Sequence, residues 1–115
     1  MLPLGHVEVL EYLAPAGRSP YAEWFDSLNA PAAAKVAVAL ARMSQGSLSN
    51  VKGVGGGVHE YRIDFGPGYR IYLAKDGDRM ILLLGGGTKK RQQKDIENAR
   101  RRWQDYRQRK KQEAR

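Results

Sequence analysis

The chain has 115 residues, a mass of 12.9 kDa and a formal charge of +8, which bounds it to one domain with a single modest core. With 42% hydrophobic residues it is too apolar for wholesale disorder, yet it contains no run of 18 apolar residues that could span a membrane. The absence of cysteine excludes disulfides and thiolate metal sites, and two histidines, His6 and His59, are too few for most zinc sites, so neither metal nor cofactor is expected.

The opening MLPLGHVEVLEY has no basic n-region and no clean apolar stretch, so no signal peptide is expected and the expected location is cytoplasmic. His6 to Leu13 alternates loosely and predicts a strand with Val7, Val9 and Glu11 on one side. Ser19-Pro20 predicts a helix start, and Tyr21, Trp24, Phe25 and Leu28 then make one apolar stripe that belongs to the core. Asn29-Ala30-Pro31 restarts a helix to about Gln45, with Ala33, Val36, Ala37, Leu40 and Met43 as its stripe and Gly46 as its stop. The two helices predict an antiparallel hairpin laid across a sheet.

Residues 46–57, GSLSNVKGVGGG, predict a mobile loop carrying Lys52. Without a GK[ST] ending or a following helix, the glycine run is weak as a phosphate loop. A three-stranded meander follows. In Val58–Phe65, Tyr61, Ile63 and Phe65 point one way, and Glu60, Arg62 and Asp64 the other. After the Gly66-Pro67-Gly68 turn, Tyr69, Ile71 and Leu73 share a face, with Arg70 and Tyr72 opposite. Asp76-Gly77-Asp78 is a hairpin signal, Met80–Leu84 predicts a strand buried on both sides, and Gly85-Gly86-Gly87 predicts its end. Register then places Arg62, Arg70 and Tyr72 together on the face away from the helical hairpin. That face is expected to form the floor of a site.

The last helix is expected from about Arg91 to Arg109, docked through Ile96, Ala99, Trp103 and Tyr106, with residues 107–115 fraying. Residues 89–115 hold 12 of the 20 Lys and Arg but 4 of the 12 Asp and Glu, so all the excess charge lies there. A neutral body with a basic end suits either an anionic partner or a solvated helix kept soluble by charge. Arg62, Arg70, Lys89, Lys90 and Lys52 are expected to converge, interleaved with Tyr61, Tyr69 and Tyr72. Guanidinium groups fork onto phosphate oxygens and tyrosines stack on unpaired bases, a combination suited to single-stranded RNA. The competing use of the arginines is cross-strand pairing with Glu60 or Asp64.

The strings HEYRI, GPGYRIYL and LLLGGGTKKRQQKDIENA, with the W-F…L helix and NVKGVGGGV before them, span about residues 20–100. In that order they resemble the RelE/ParE toxin superfamily, most closely its addiction-module killer branch (HigB-like, phage Gp49-like). The resemblance implies a single α+β domain over 1–115 of order β-α-α-β-β-β-α. Its helical hairpin packs on a mainly antiparallel sheet, and a C-terminal helix follows. It implies the toxin of a type II toxin–antitoxin module, a ribosome-dependent, metal-independent mRNA endonuclease in which the ribose 2′-hydroxyl attacks the adjacent phosphate. Carried over by motif, Arg70 contacts the scissile phosphate, Arg62 supports it from the preceding strand, and Lys90 or Lys89 follows the last strand. RelE carries a lysine where this chain has Asp64 and a tyrosine where it has Ile96, which leaves Tyr72, Lys89 and His59 as candidates for proton transfer. Lys52, Tyr61, Tyr69, Arg91, Lys94 and Arg101 are the expected RNA-binding residues. The implied partners are a helix-turn-helix antitoxin, the ribosome with its mRNA, and operator DNA through the antitoxin. Two alternatives keep the fold: a ParE-like, non-enzymatic inhibitor of DNA gyrase, and an inactive regulatory homologue.

Overall fold

Two capped helices follow a short first strand. The computed structural model describes residues 6–114, with β1 at Glu8–Glu11, α1 at Pro20–Asp26 and α2 at Ala30–Ser44. Ser19 Oγ accepts the Ala22 N–H at 3.0 Å and Asn29 Oδ1 accepts the Ala32 N–H at 2.9 Å, with proline in the first turn of both helices. Gly46, at φ 85°, closes α2 by donating its N–H to Met43 O at 2.9 Å.

Then come β2 (Val51–Gly55), β3 (Val58–Ile63), β4 (Tyr69–Lys75), β5 (Met80–Thr88), a 3₁₀ turn (Lys89–Arg91) and α3 (Gln92–Glu113). The five strands form one mixed sheet of order β1-β5-β4-β3-β2, with β1 parallel to β5 and the other pairs antiparallel. Alternation along the strands splits the core into two layers. Tyr61, Ile71, Leu73, Ile81 and Leu83 face Tyr21 of α1 and Val36, Ala39 and Met43 of α2. Val58, Tyr72, Ala74, Leu82 and Leu84 face Ile96, Ala99 and Trp103 of α3. Each fully buried aliphatic side chain contributes roughly 1.5–3 kcal/mol of transfer free energy.

The α+β class and the C-terminal helix agree with the sequence reading, but the order gains a strand: β-α-α-β-β-β-β-α. The segment expected to be a mobile loop holds β2, which pairs Val51 with Tyr61 and Lys52 with Glu60. Its glycines form the turn into β3 beneath α3. Gly55, Gly56 and Gly57 have φ of 93°, 64° and 84°, and Arg100 and Trp103 press against them. Arg100 also donates to the Val54 carbonyl. In α2 the buried positions are Ala32, Val36, Ala39 and Met43, while Ala37 is exposed, so the stripe is turned from the expected one.

Gly85-Gly86-Gly87 does not end β5. The strand continues to Thr88, and the glycines mark where neighbours approach its backbone. A Cβ on Gly86 would overlap the Trp24 ring, and one on Gly87 the Asp95 carboxylate. A bulge between Tyr72 and Leu73 lets Leu84 and Gly85 share one face.

The largest correction concerns the expected open floor. The face bearing Arg70 and Tyr72 is indeed opposite α1 and α2, but α3 covers much of it. The helix also extends past residue 107, where fraying was expected. It is helical through Glu113, and the segment is tied to the body by Lys110 Nζ to Asp76 Oδ2 at 2.5 Å and by Arg109 Nη2 to Leu13 O at 2.6 Å. The anchors are polar and long-range, which is why no apolar periodicity announced them.

Candidate nucleic-acid interface

The strand register brings four side chains to one sheet face. In β3, Glu60 and Arg62 are two residues apart, and in β4 so are Arg70 and Tyr72. Glu60 lies opposite Tyr72, and Arg62 opposite Arg70. α3 covers the Tyr72 end of this quartet and leaves the Arg62 end open.

A cleft of about 740 Å³ occupies that open end. Its walls are Ser49 to Lys52 at the start of β2, Arg62 to Asp64 at the end of β3, the Gly66-Pro67-Gly68 turn, Tyr69 and Arg70 of β4, and Lys89. The Lys89 N–H donates to Gly68 O at 3.2 Å, which brings the residue after β5 against the turn. Lys52, Arg62, Arg70 and Lys89 therefore share one concave surface with a single acidic group, Asp64. Among the described residues, neither Lys52, Arg62 nor Lys89 makes a salt bridge.

Arg70 differs. It is 5% exposed, and its Nε lies 3.2 Å from Oε1 of Glu60, which is fully buried. The same Oε1 accepts from Gln92 Nε2 at 2.8 Å and from Tyr72 OH at 3.4 Å. Burial, with the Glu60 and Asp95 carboxylates nearby, pushes the Tyr72 phenol well above its ordinary pKa and keeps it protonated.

The other expected site residues fall elsewhere. Tyr61 is buried in the α1/α2 layer, with no ring face free to stack. Tyr72 is fully buried and does not line the cleft. His59 alternates with Glu60 and so faces the α1/α2 side, with its Nδ1 buried and unpartnered among the described residues. Lys90 is exposed on the 3₁₀ turn outside the cleft lining. Tyr69, 8% exposed, is the tyrosine that reaches the cleft, and it also walls a second cleft of about 390 Å³ with Trp24, Asn29, Thr88, Arg91 and Asp95. There, burial raises the Asp95 pKa, partly opposed by Arg91 and Arg102. Lys94 and Arg101 are exposed on α3, with Arg101 Nη2 donating to Asn98 Oδ1 at 2.8 Å. Among the described residues, no group of three or more His, Cys, Asp or Glu side chains is arranged to hold a metal ion.

Glu60 was expected from the sequence only as a competing cross-strand partner for the arginines, a signal that, among the described residues, the structure bears out for Arg70 and not for Arg62. Gln92 carried none, because only the docking of α3 brings it over β3.

Chemically, the cleft can take an anion. Three cations without a salt bridge among the described residues and the edge of a clamped guanidinium offer charge-assisted donors to phosphate oxygens. Residues 23–104 match the family described as Phage derived protein Gp49-like (DUF891). A Haemophilus influenzae protein named only as uncharacterized is 40% identical over 78 residues, which cover 67% of this chain and 79% of that protein. The chain belongs to the Gp49-like family, a RelE/HigB-like toxin family associated with toxin–antitoxin modules.

Proposed function

We propose that the protein is the toxin of a type II toxin–antitoxin module and cleaves mRNA on the ribosome. The observation that carries this reading is the meeting of Lys52, Arg62, Arg70 and Lys89 in one open cleft. In the proposed reaction the ribose 2′-oxygen forms a bond to the adjacent phosphorus and the bond to the 5′-oxygen breaks. A 2′,3′-cyclic phosphate and a 5′-hydroxyl result. Charge builds on the non-bridging oxygens, where Arg70 and Arg62 stabilise it. Of the three proton-transfer candidates, Lys89 lines the cleft, while Tyr72 and His59 do not. We assign it donation of a proton to the leaving 5′-oxygen, while the 2′-hydroxyl proton passes to solvent, with Lys90 beside it on the same turn. Lys52 and Tyr69 guide the strand, and Arg91, Lys94 and Arg101 extend the cationic surface toward ribosomal RNA. The proposed partner in the resting cell is a cognate antitoxin of helix-turn-helix type, through which the complex reaches operator DNA.

The burial of Tyr72 and the turning away of His59 favour a second reading, a ParE-like inhibitor of DNA gyrase that needs no proton shuttle. Mapping mRNA 5′ ends in a reconstituted translation system separates the two. New cuts within codons that disappear in Arg62→Ala support the nuclease. Intact mRNA together with blocked gyrase supercoiling would refute it.

A further inference from the structure

Arg70 is an unusual ligand for a phosphate, because almost all of it is inside the protein. A buried guanidinium is retained only where its charge is matched. Glu60 supplies that match from the neighbouring strand, reaching diagonally across the sheet at Nε to Oε1 3.2 Å. Among the described residues Arg70 Nε has no aligned hydrogen-bond acceptor, so its contact with Glu60 is ionic and not a directed hydrogen bond. Beyond Nε, the guanidinium runs toward the Gly-Pro-Gly turn. A Cβ on Gly68 would lie 3.9 Å from Nη1, and the side chain lines the cleft. Arg62 stands directly opposite Arg70 in register, a like-charge pair that would push the two apart without a carboxylate between the strands. Glu60 in turn is held by Gln92 from the first turn of α3 and by the Tyr72 hydroxyl.

We propose that Glu60 is a positioning residue: it fixes Arg70 with its outer edge toward the cleft, and Gln92 couples that pose to the docking of α3. The inference rests on the reading of the cleft as a phosphate site. It makes Arg70 a preorganised donor that loses little freedom on binding, while the unpaired Arg62 and Lys52 adapt to the strand.

Electrostatics gives the test a sign. If Glu60 only added a negative charge near the site, removing it would tighten anion binding. If it positions Arg70, removing it weakens binding. The probe is a short fluorescein-labelled single-stranded RNA, titrated at several salt concentrations, with folding followed by thermal melting. Glu60→Gln keeps an oxygen for Gln92 and Tyr72 but removes the charge, and Glu60→Asp keeps the charge but shortens the reach. Both are expected to weaken binding by about tenfold, equivalent to one lost charge-assisted contact. Each should lower the slope of log affinity against log salt by about 0.7, the value for one phosphate contact on a single strand. A general loosening of the fold would not lower that slope selectively. Gln92→Ala, which leaves both buried charges in place, should lose about threefold, since it removes one hydrogen bond that holds the Glu60 carboxylate but not the carboxylate itself. It keeps the inference testable if the Glu60 variants do not fold.

Wild-type or tighter binding by folded Glu60→Gln overturns the positioning role. So does a further loss when Glu60→Gln is added to Arg70→Met, because Glu60 would then act without Arg70. Arg62→Ala, on the exposed side of the cleft, separates the two levels. If it binds RNA as the wild type does, the phosphate reading itself fails and the inference with it. If it weakens binding while Glu60→Gln does not, only the positioning role fails.

Discussion

Replacing Arg70 with alanine should damage stability as well as function, and the structure says by how much. The substitution leaves the Glu60 carboxylate fully buried with only Gln92 and the Tyr72 hydroxyl to satisfy it, both on the same oxygen, while Oε2 already lacks a partner among the described residues. Removing one partner of a buried ion pair costs about 3–5 kcal/mol, set against a total stability of about 5–15 kcal/mol for a domain. With a urea dependence of about 2 kcal/mol/M, the unfolding midpoint of Arg70→Ala should fall by roughly 2 M. Arg62→Ala, one position across the sheet but exposed and unpaired, should change stability by less than about 0.5 kcal/mol. Glu60→Gln combined with Arg70→Met should recover most of the loss, since it removes both charges and keeps an oxygen for Gln92 and Tyr72. Equilibrium urea unfolding followed by tryptophan fluorescence measures all four proteins. Equal midpoints for Arg70→Ala and Arg62→Ala would refute the view of Arg70 as a buried, charge-matched residue. The same numbers make Arg62→Ala the cleaner probe of RNA chemistry.

In the cleavage reaction, Lys89→Ala should slow mRNA cutting by about 10²-fold or more, the usual size of a general acid–base contribution, while His59→Ala should stay within about twofold in single-turnover assays. Gly86→Ala should destabilise by about 1–3 kcal/mol because its Cβ meets the Trp24 ring, and Trp24→Leu should restore part of the loss in thermal melts. Trp103→Ala should cost about 3–5 kcal/mol by opening the α3 layer, with lost protection of β2 amides in hydrogen exchange, since that ring presses on the turn at Gly57. The end of α3 should loosen in acid. Asp76 is held below its ordinary value of 3.8 by hydrogen bonds from Lys110 and Tyr106, and Asp105 likewise by Tyr12 and Arg109. A depressed carboxyl pKa stabilises the fold above the unfolded value and stops doing so as pH falls through the folded one. Protection of amides 106–113 should therefore be unchanged from neutrality to about pH 5 and fall below about pH 4. A loss already complete at pH 6 would contradict the carboxylate anchors.

Local chemistry was enough to read several elements from the sequence. Ser19-Pro20, Asn29-Ala30-Pro31 and Gly46 delimit two helices because caps, proline and glycine act within one turn of chain. Alternation assigned Tyr61 and Ile71 to one sheet face and Arg62, Arg70 and Tyr72 to the other, because a strand has a period of two whatever surrounds it. The short turn at Gly66-Pro67-Gly68 set the register that brings Arg62 opposite Arg70. Those local rules join Arg62 and Arg70, while Lys52 and Lys89 reach them through the pairing of β2 with β3 and of β5 with β4.

What covers a face is not a local property. Glycine-rich segments carry the same signal whether they form a loop or let a helix approach a strand. GVGGG therefore read as mobile and GGG as a strand end until Arg100, Trp103, Trp24 and Asp95 were seen packed against them. The basic helix α3 decided the rest. Its docking buries Tyr72, brings Gln92 to Glu60 and turns the expected open floor into a cleft at one end of the sheet. Sequence alone determined which face the arginines share, because the backbone dictates alternation. Only the tertiary structure decided that one of them is clamped and the other free, because burial depends on what packs above the sheet.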